Sequence, residues 1–224
     1  MISGATQRTK RARPLRADAQ LNRDRILAAA AELFAERGLS VPLEEIAGRA
    51  GVGVATLYRR FPTRADLATA AFERNISRFT TAVDRALTDP QAWDGFRMLI
   101  FELCRLQATD AGMRDLLTTA FPASSVVEQR TNEGVDKLKV LIERAQREGS
   151  LRPDVVVADI VVMLLANAGV LRATGHSAPD AWRRFAALML DGFAATPGAP
   201  VSSLPPAPPE QQLRQSIAML TGER

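Results

Sequence analysis

Apolar residues recur along this chain at intervals of three and four, the period of helices buried on one face. The first such stripe, Ile26, Ala30, Leu33 and Phe34, predicts a helix from about Leu21 to Arg37. Gly38 stands where a left-handed residue ends such a helix. Pro42 fits the first turn of a second helix, which continues through Glu44, Glu45, Ile46 and Ala47 to Ala50. Gly51-Val52-Gly53 breaks it, and a third helix runs from Val54 to about Arg60. Pro62 cannot prolong that helix, and Thr63 is placed to cap a long fourth one reaching about Leu87.

The helical period then continues without strand-like alternation. Asp89-Pro90 opens a helix through Trp93, Phe96, Leu99, Ile100, Leu103 and Leu106; a shorter one spans about Met113 to Ala120 and breaks at Phe121-Pro122. Ser124 to Glu148 reads as another, with Leu138, Leu141, Ile142 and Ala145 on one side and Gly149 as its stop. Pro153 begins a strongly apolar helix to about Ala173, and Pro179 opens a last core helix carrying Trp182, Phe185, Ala186, Met189 and Phe193. A Pro-rich stretch follows, then a short amphipathic helix from Glu210 to Leu220. The fold class is all-α. It divides into a flexible arm (1–20), a compact helical head (21–65), a larger helical domain (66–196) and a linker with tail helix (197–224).

Charge changes this picture at one end. Residues 1–64 hold 12 Lys+Arg against 6 Asp+Glu, whereas the remainder of the 224 residues holds 17 against 19. The excess peaks in Arg8, Lys10, Arg11, Arg13 and Arg16, with no acid among them. A basic arm ahead of a folded unit suits a polyanion through counterion release; the plain alternative is a solvated tail. No apolar stretch follows the charges as in a secretory signal, and the Arg-rich start only slightly resembles a transit peptide. With one His and one Cys, Cys-clustered zinc and iron–sulfur sites are excluded, and His-rich metal sites largely so.

Two short helices joined by a Gly-containing turn have the arithmetic of a helix-turn-helix, whose second helix lies in the DNA major groove. Ile46, Ala47 and Ala50 form one inner face, Val52 fills the turn, and Leu57 with Phe61 anchors the next helix. Thr56, Arg59, Arg60 and the polar edge of Tyr58 are left pointing outward, a set suited to phosphate oxygens and guanine edges. An ordinary helical hairpin with a charged face is the alternative.

The stretch from Arg25 through Leu67, above all LEEIAGRAGVGVATLYRRFPTRADL, resembles the DNA-binding domain of the tetracycline-repressor (TetR) family. The match runs over Ile46-Ala47, Ala50-Gly51-Val52, Thr56-Leu57-Tyr58, Phe61 and Leu67, about the first third of the chain. The resemblance implies that Thr56 and Tyr58 contact operator phosphates and that Val54 and Ala55 approach base edges. Arg60 stands where a phosphate-binding His is common, and Arg64 where a Lys is usual at the start of helix four. Arg59 is the candidate for base reading, and Arg11 and Arg13 in the arm add contacts. Pro42 departs from the family, which has Thr or Ser there; it offers no hydroxyl, and Ser40 is a partial substitute. The resemblance further implies a homodimeric, cytoplasmic regulator, most often a repressor, bound to a palindromic operator and released by a small effector, without a cofactor.

Between residues 155 and 171 only Asp159, Asn167 and Gly169 interrupt the apolar side chains. A membrane span is one reading, but the run is at the short limit of about 17–25 residues and Asp159 is costly in lipid. Burial between the domain's core and a second subunit fits better, the helices near 154–173 and 179–194 forming a two-fold four-helix interface; a monomeric core is the alternative. Candidates for an effector pocket are Phe72, Ile76, Phe79, Trp93, Phe96, Ile100, Cys104, Met113, Leu117, Phe121, Met163 and Asn167, each equally at home in a core. Their few charges point to an apolar, uncharged effector. Asn167 is singled out because a buried amide needs partners, from a ligand or from its symmetry mate. Cys104 reads as a small buried hydrophobe or a redox sensor. His176 lies near Asp180 in a Gly-His-Ser turn, but no nucleophile motif, Gly-rich phosphate loop or acidic metal cluster accompanies it, which argues against an enzyme.

Overall fold

The computed structural model describes residues 12–117, 126–195 and 203–220. Helix α1 covers Ala12–Arg37, α2 Leu43–Ala50, α3 Val54–Arg60, α4 Arg64–Leu87, α5 Ala92–Thr109, α6 Ala111–Leu117, α7 Val126–Arg147, α8 Val157–Thr174, α9 Ala181–Phe193 and α10 Glu210–Leu220. The only extended pairing among the described residues is an isolated antiparallel bridge between Leu151 and Ala194.

Several helix starts differ from the sequence expectation, three of them with a clear local cause. Helix α1 begins at Ala12, not Leu21, so residues 12–20, expected in the flexible arm, are helical. The apolar stripe starts only at Ile26, but Pro14 in the first turn forfeits no intrahelical bond, and Ala and Leu favour helix without needing burial. Pro42 sits one place before α2, as its N-cap, its carbonyl accepting from the Glu45 and Ile46 amides. Helix α8 starts at Val157 and not at Pro153, because Arg152 and Asp154 pair with each other and the Arg152 amide donates to the Phe193 carbonyl. Asp159 then accepts from the Val156 amide at 2.8 Å, satisfying one open donor at the helix start.

Local chemistry fixes the ends of α1 and α2 and the start of α4 as expected. Gly38 closes α1 at φ +80° and Gly51 closes α2 at φ +65°. At Thr63 the hydroxyl accepts from the Asp66 amide at 3.1 Å while the Asp66 carboxylate accepts from the Thr63 amide, a reciprocal capping box.

The side chains gather in two apolar clusters. One joins α1, α2, α3 and the first turns of α4 through Ile26, Leu33, Phe34, Ile46, Leu57, Phe61, Leu67 and Phe72, and takes in Leu106 of α5 and Met113 of α6. The other joins the rest of α4 and α5 to α7, α8 and α9. Helix α6 lies tightly on the first cluster: a Cβ on Gly112 would stand 2.2 Å from Phe72 Cζ. Helix α8 is long and apolar enough to cross a membrane by length and composition, yet Val157, Ala158, Ile160, Met163, Leu164, Asn167, Ala168 and Leu171 are packed inside.

Candidate nucleic-acid interface

The head builds its outward surface by what it hides. Leu57 and Phe61, one turn apart on and just after α3, are buried beneath Ile46 and Ala47 of α2. The turn between the helices is tight: the Gly51 amide donates to the Gly48 carbonyl and the Val52 amide to that of Ala47. Gly53 then caps α3, its carbonyl accepting from Thr56 and Leu57. With that face fixed, Ala55, Tyr58, Arg59 and Arg60 are exposed, Tyr58 by 44%, while Val54 and Thr56 are half-buried. Val54 packs against the cluster, so its side chain is shared between core and surface.

Two of the predicted arginines are already engaged. Arg60 Nη2 donates to the Ala19 carbonyl of α1 at 3.3 Å, tying the end of the second short helix to the extended part of α1. Arg64, expected on a phosphate, turns inward: its Nη1 donates to the carbonyls of Leu39 and Val41. The residues connecting α1 and α2 are thereby held from α4, and from the other side Asp115 of α6 accepts from the Leu39 amide at 2.8 Å. Arg11 lies outside the described residues, and so does the side chain of Arg13.

Sequence reasoning missed Arg23 and Arg25. The Arg23 guanidinium lies 5.9 Å from the centre of the Phe61 ring, and Arg25 reaches the turn, where a Cβ on Gly51 would meet its Nη2 at 2.6 Å. Their signal was present as two arginines just before the apolar stripe. What hid it was distance along the chain: Phe61 and Gly51, which the two side chains approach, lie 38 and 26 positions further on.

The predicted pocket residues whose side chains are described pack in the two apolar clusters or against them. Phe96, Ile100, Cys104 and Met163 are buried in its cluster, and Trp93 stacks on Phe96 at 5.8 Å. Phe79 fills the space left by Gly134, and Phe72 and Met113 belong to the head's cluster. Phe121 and the side chains of Ile76 and Leu117 lie outside the described residues. Burial pushes the Cys104 thiol up to about 12, which disfavours the reactive thiolate. Asn167 is fully buried, its Nδ2 donating to Gln107 Oε1 at 2.8 Å. An open cleft of about 850 Å³ does exist, between α4 and α5 and reaching Leu190 of α9. Its apolar floor, Ala82, Leu99 and Phe101, is rimmed by Arg85, Asp94, Arg97 and Glu102, and none of the predicted pocket residues lines it.

The stripe predicted for subunit contact is divided: Phe185 and Met189 are half-buried, and its other members turn inward. Trp182, Ala186 and Phe193 are buried, with the Trp182 ring 5.2 Å from that of Phe101. Facing outward instead are Val162 of α8, 45% exposed, and Leu188 of α9, 59% exposed, with Ala166 and Ala187 beside them.

Comparison with known proteins follows the same division. The profile described as bacterial regulatory proteins, tetR family, matches residues 26–71. A second, transcriptional regulator SbtR-like, C-terminal domain, matches 95–195. An HTH-type transcriptional regulator of Staphylococcus aureus (strain USA300) is 38% identical over 68 residues, 30% of this chain and 37% of that protein. The chain thus spans little more than a third of that relative's length. A TetR transcription regulatory protein from Mycobacterium vanbaalenii is 32% identical over 81% of this chain and 100% of its own, with a TM-score of 0.46. A TetR-family regulator from Agrobacterium tumefaciens, 20% identical and covering 79% of this chain and 100% of its own, shares the fold at a TM-score of 0.59.

Proposed function

Since this chain belongs to the tetracycline-repressor (TetR) family of transcriptional regulators, we propose that it acts in the cytoplasm as a homodimeric repressor of a palindromic operator, released by a small molecule. Its family consists of DNA-binding regulators, not enzymes. The observation that carries the reading is the outward display of Ala55, Tyr58, Arg59 and Arg60 from a helix anchored by buried Leu57 and Phe61. In the major groove, Ala55 and Arg59 meet base edges, and Tyr58, Arg60 and Thr56 meet phosphates. Arg23 and Arg25 add positive charge along the same edge of the head. Arg64 serves the reading by bracing the connection before α2.

Two apolar outward faces, on α8 and α9, support a two-fold interface through Val162, Ala166 and Leu188. A dimer has to present its two reading helices about 34–36 Å apart to dock both half-sites. Asp115 and Arg64 grip the same short connection from α6 and α4, so a shift of either helix is passed to α2 through hydrogen bonds. An effector that separates α5 from its neighbours changes that spacing and releases DNA.

Selection of bound sequences from a random DNA pool tests this directly. A palindrome with half-sites one helical turn apart is the expected product; unselected, sequence-independent retention overturns the reading.

A further inference from the structure

Gln107 and Asn167 are the two buried polar side chains among the described residues, both fully enclosed. They touch: Asn167 Nδ2 donates to Gln107 Oε1 at 2.8 Å, and Gln107 Nε2 donates to the Leu164 carbonyl at 3.2 Å. Gln107 is thereby satisfied on both its oxygen and its nitrogen. Asn167 Oδ1 has no hydrogen-bond partner. An enclosed acceptor without a donor costs stability, and an apolar residue of similar shape avoids the cost.

The pair also stands at a boundary. Leu106, the residue before Gln107, packs in the head's cluster, whereas Leu103 and Cys104, one turn earlier, pack in the larger domain's. On α8, Met163, Leu164 and Leu171 surround Asn167 on its own helix face and are apolar. No buried ionisable side chain shares this region among the described residues, apart from the Cys104 thiol, which burial keeps protonated.

We infer that Asn167 Oδ1 is the anchor for the effector, and that the effector is a neutral, largely apolar molecule bearing a hydroxyl that donates to this oxygen. The inference rests on the proposed reading of the larger domain as an effector domain and deepens it. A charged ligand has no counter-charge there. A ligand with only acceptors leaves the orphan oxygen unsatisfied, so the site rejects it strongly. Occupation at this place separates α5 from α8 beside the point where α5 enters the head's cluster, which supplies a route from binding to DNA release.

The test uses the full-length protein and defined probes: n-octanol and para-propylphenol, each against its own methyl ether, which keeps the shape and loses the donor. Melting temperature and operator binding are read for the wild type and for the double variant Asn167→Leu with Gln107→Met, which removes the whole polar pair. The expected result is that a hydroxyl probe raises the wild-type Tm and weakens operator binding while its ether does neither. The double variant should melt at or above the wild type, bind the operator, and show no hydroxyl preference. Equal responses to alcohol and ether, a wild type unmoved by every probe, a hydroxyl preference retained in the variant, or a variant that melts below the wild type each overturns the inference. Operator binding by the unliganded wild type is measured alongside. If it persists, the regulator reading survives such a failure; if it is absent, that reading falls separately.

Discussion

The head and the larger domain are both helical and both built on apolar stripes, yet only the head shows its working surface. On and just after α3 a narrow stripe, Leu57 and Phe61, is buried, and Ala55, Tyr58, Arg59 and Arg60 are exposed. In α5 and α8 the buried face is broad, and Phe96, Ile100 and Met163 disappear into the core. A surface that reads a charged polymer needs polar groups held out by a small anchor. A domain that encloses an apolar ligand is made of the same residues as its own core, so packing and binding look alike until one polar atom is left over.

That contrast can be attacked at its anchor first. Leu57→Ala removes a buried side chain from the head and should cost about 2–5 kcal/mol there. Amide exchange should quicken through α2 and α3 and operator binding should vanish, while α7 to α9 stay protected. Loss of protection throughout the chain would show that the two clusters unfold as one. Asp115→Ala comes next. It deletes a charge-assisted hydrogen bond worth about 1.5–3 kcal/mol, and should speed exchange of the Leu39 amide and weaken operator affinity with little change in the core of α7 to α9.

The reading helix itself should yield smaller and separable effects. Arg59→Ala is expected to relax base preference at one position by about 1–3 kcal/mol. Arg60→Ala and Tyr58→Phe should instead weaken binding across sequences, with the Arg60 change lowering the salt slope by about 1. Binding titrations at several salt concentrations on selected and scrambled sites separate the two classes. The smallest effect belongs to Cys104→Val, an apolar swap inside the larger cluster, which should shift stability by less than about 1.5 kcal/mol and leave operator binding intact. A large loss of function there would revive the redox reading that the thiol's burial argues against.

How much of this was readable beforehand depended on the distance between partners. Gly38, Gly51 and the Thr63–Asp66 box act over one helical turn, and each was legible or nearly so from its neighbours. The inward turn of Arg64 joins it to a carbonyl 25 positions away, Asp115 reaches back 76 positions, and Gln107 meets Asn167 across 60. No periodicity encodes those separations. Asn167 was conspicuous because an amide in an apolar run demands a partner, but nothing in the local pattern marked Gln107 as that partner. The stripe of α9 shows a related limit: a helix pattern says that a face is buried, not which element buries it, and within one chain Trp182, Ala186 and Phe193 are covered while Phe185 and Met189 stay partly exposed.

Gly38 carries a consequence beyond the turn it makes. Its backbone is left-handed, and a side chain there would also begin 2.3 Å from the Asp115 carboxylate. One codon therefore guards both the end of α1 and the bond that joins the reading head to α6. In genetic terms, a screen for alleles that have lost control of their target gene should return substitutions at Gly38 and Asp115 as one phenotypic group, although neither residue faces DNA.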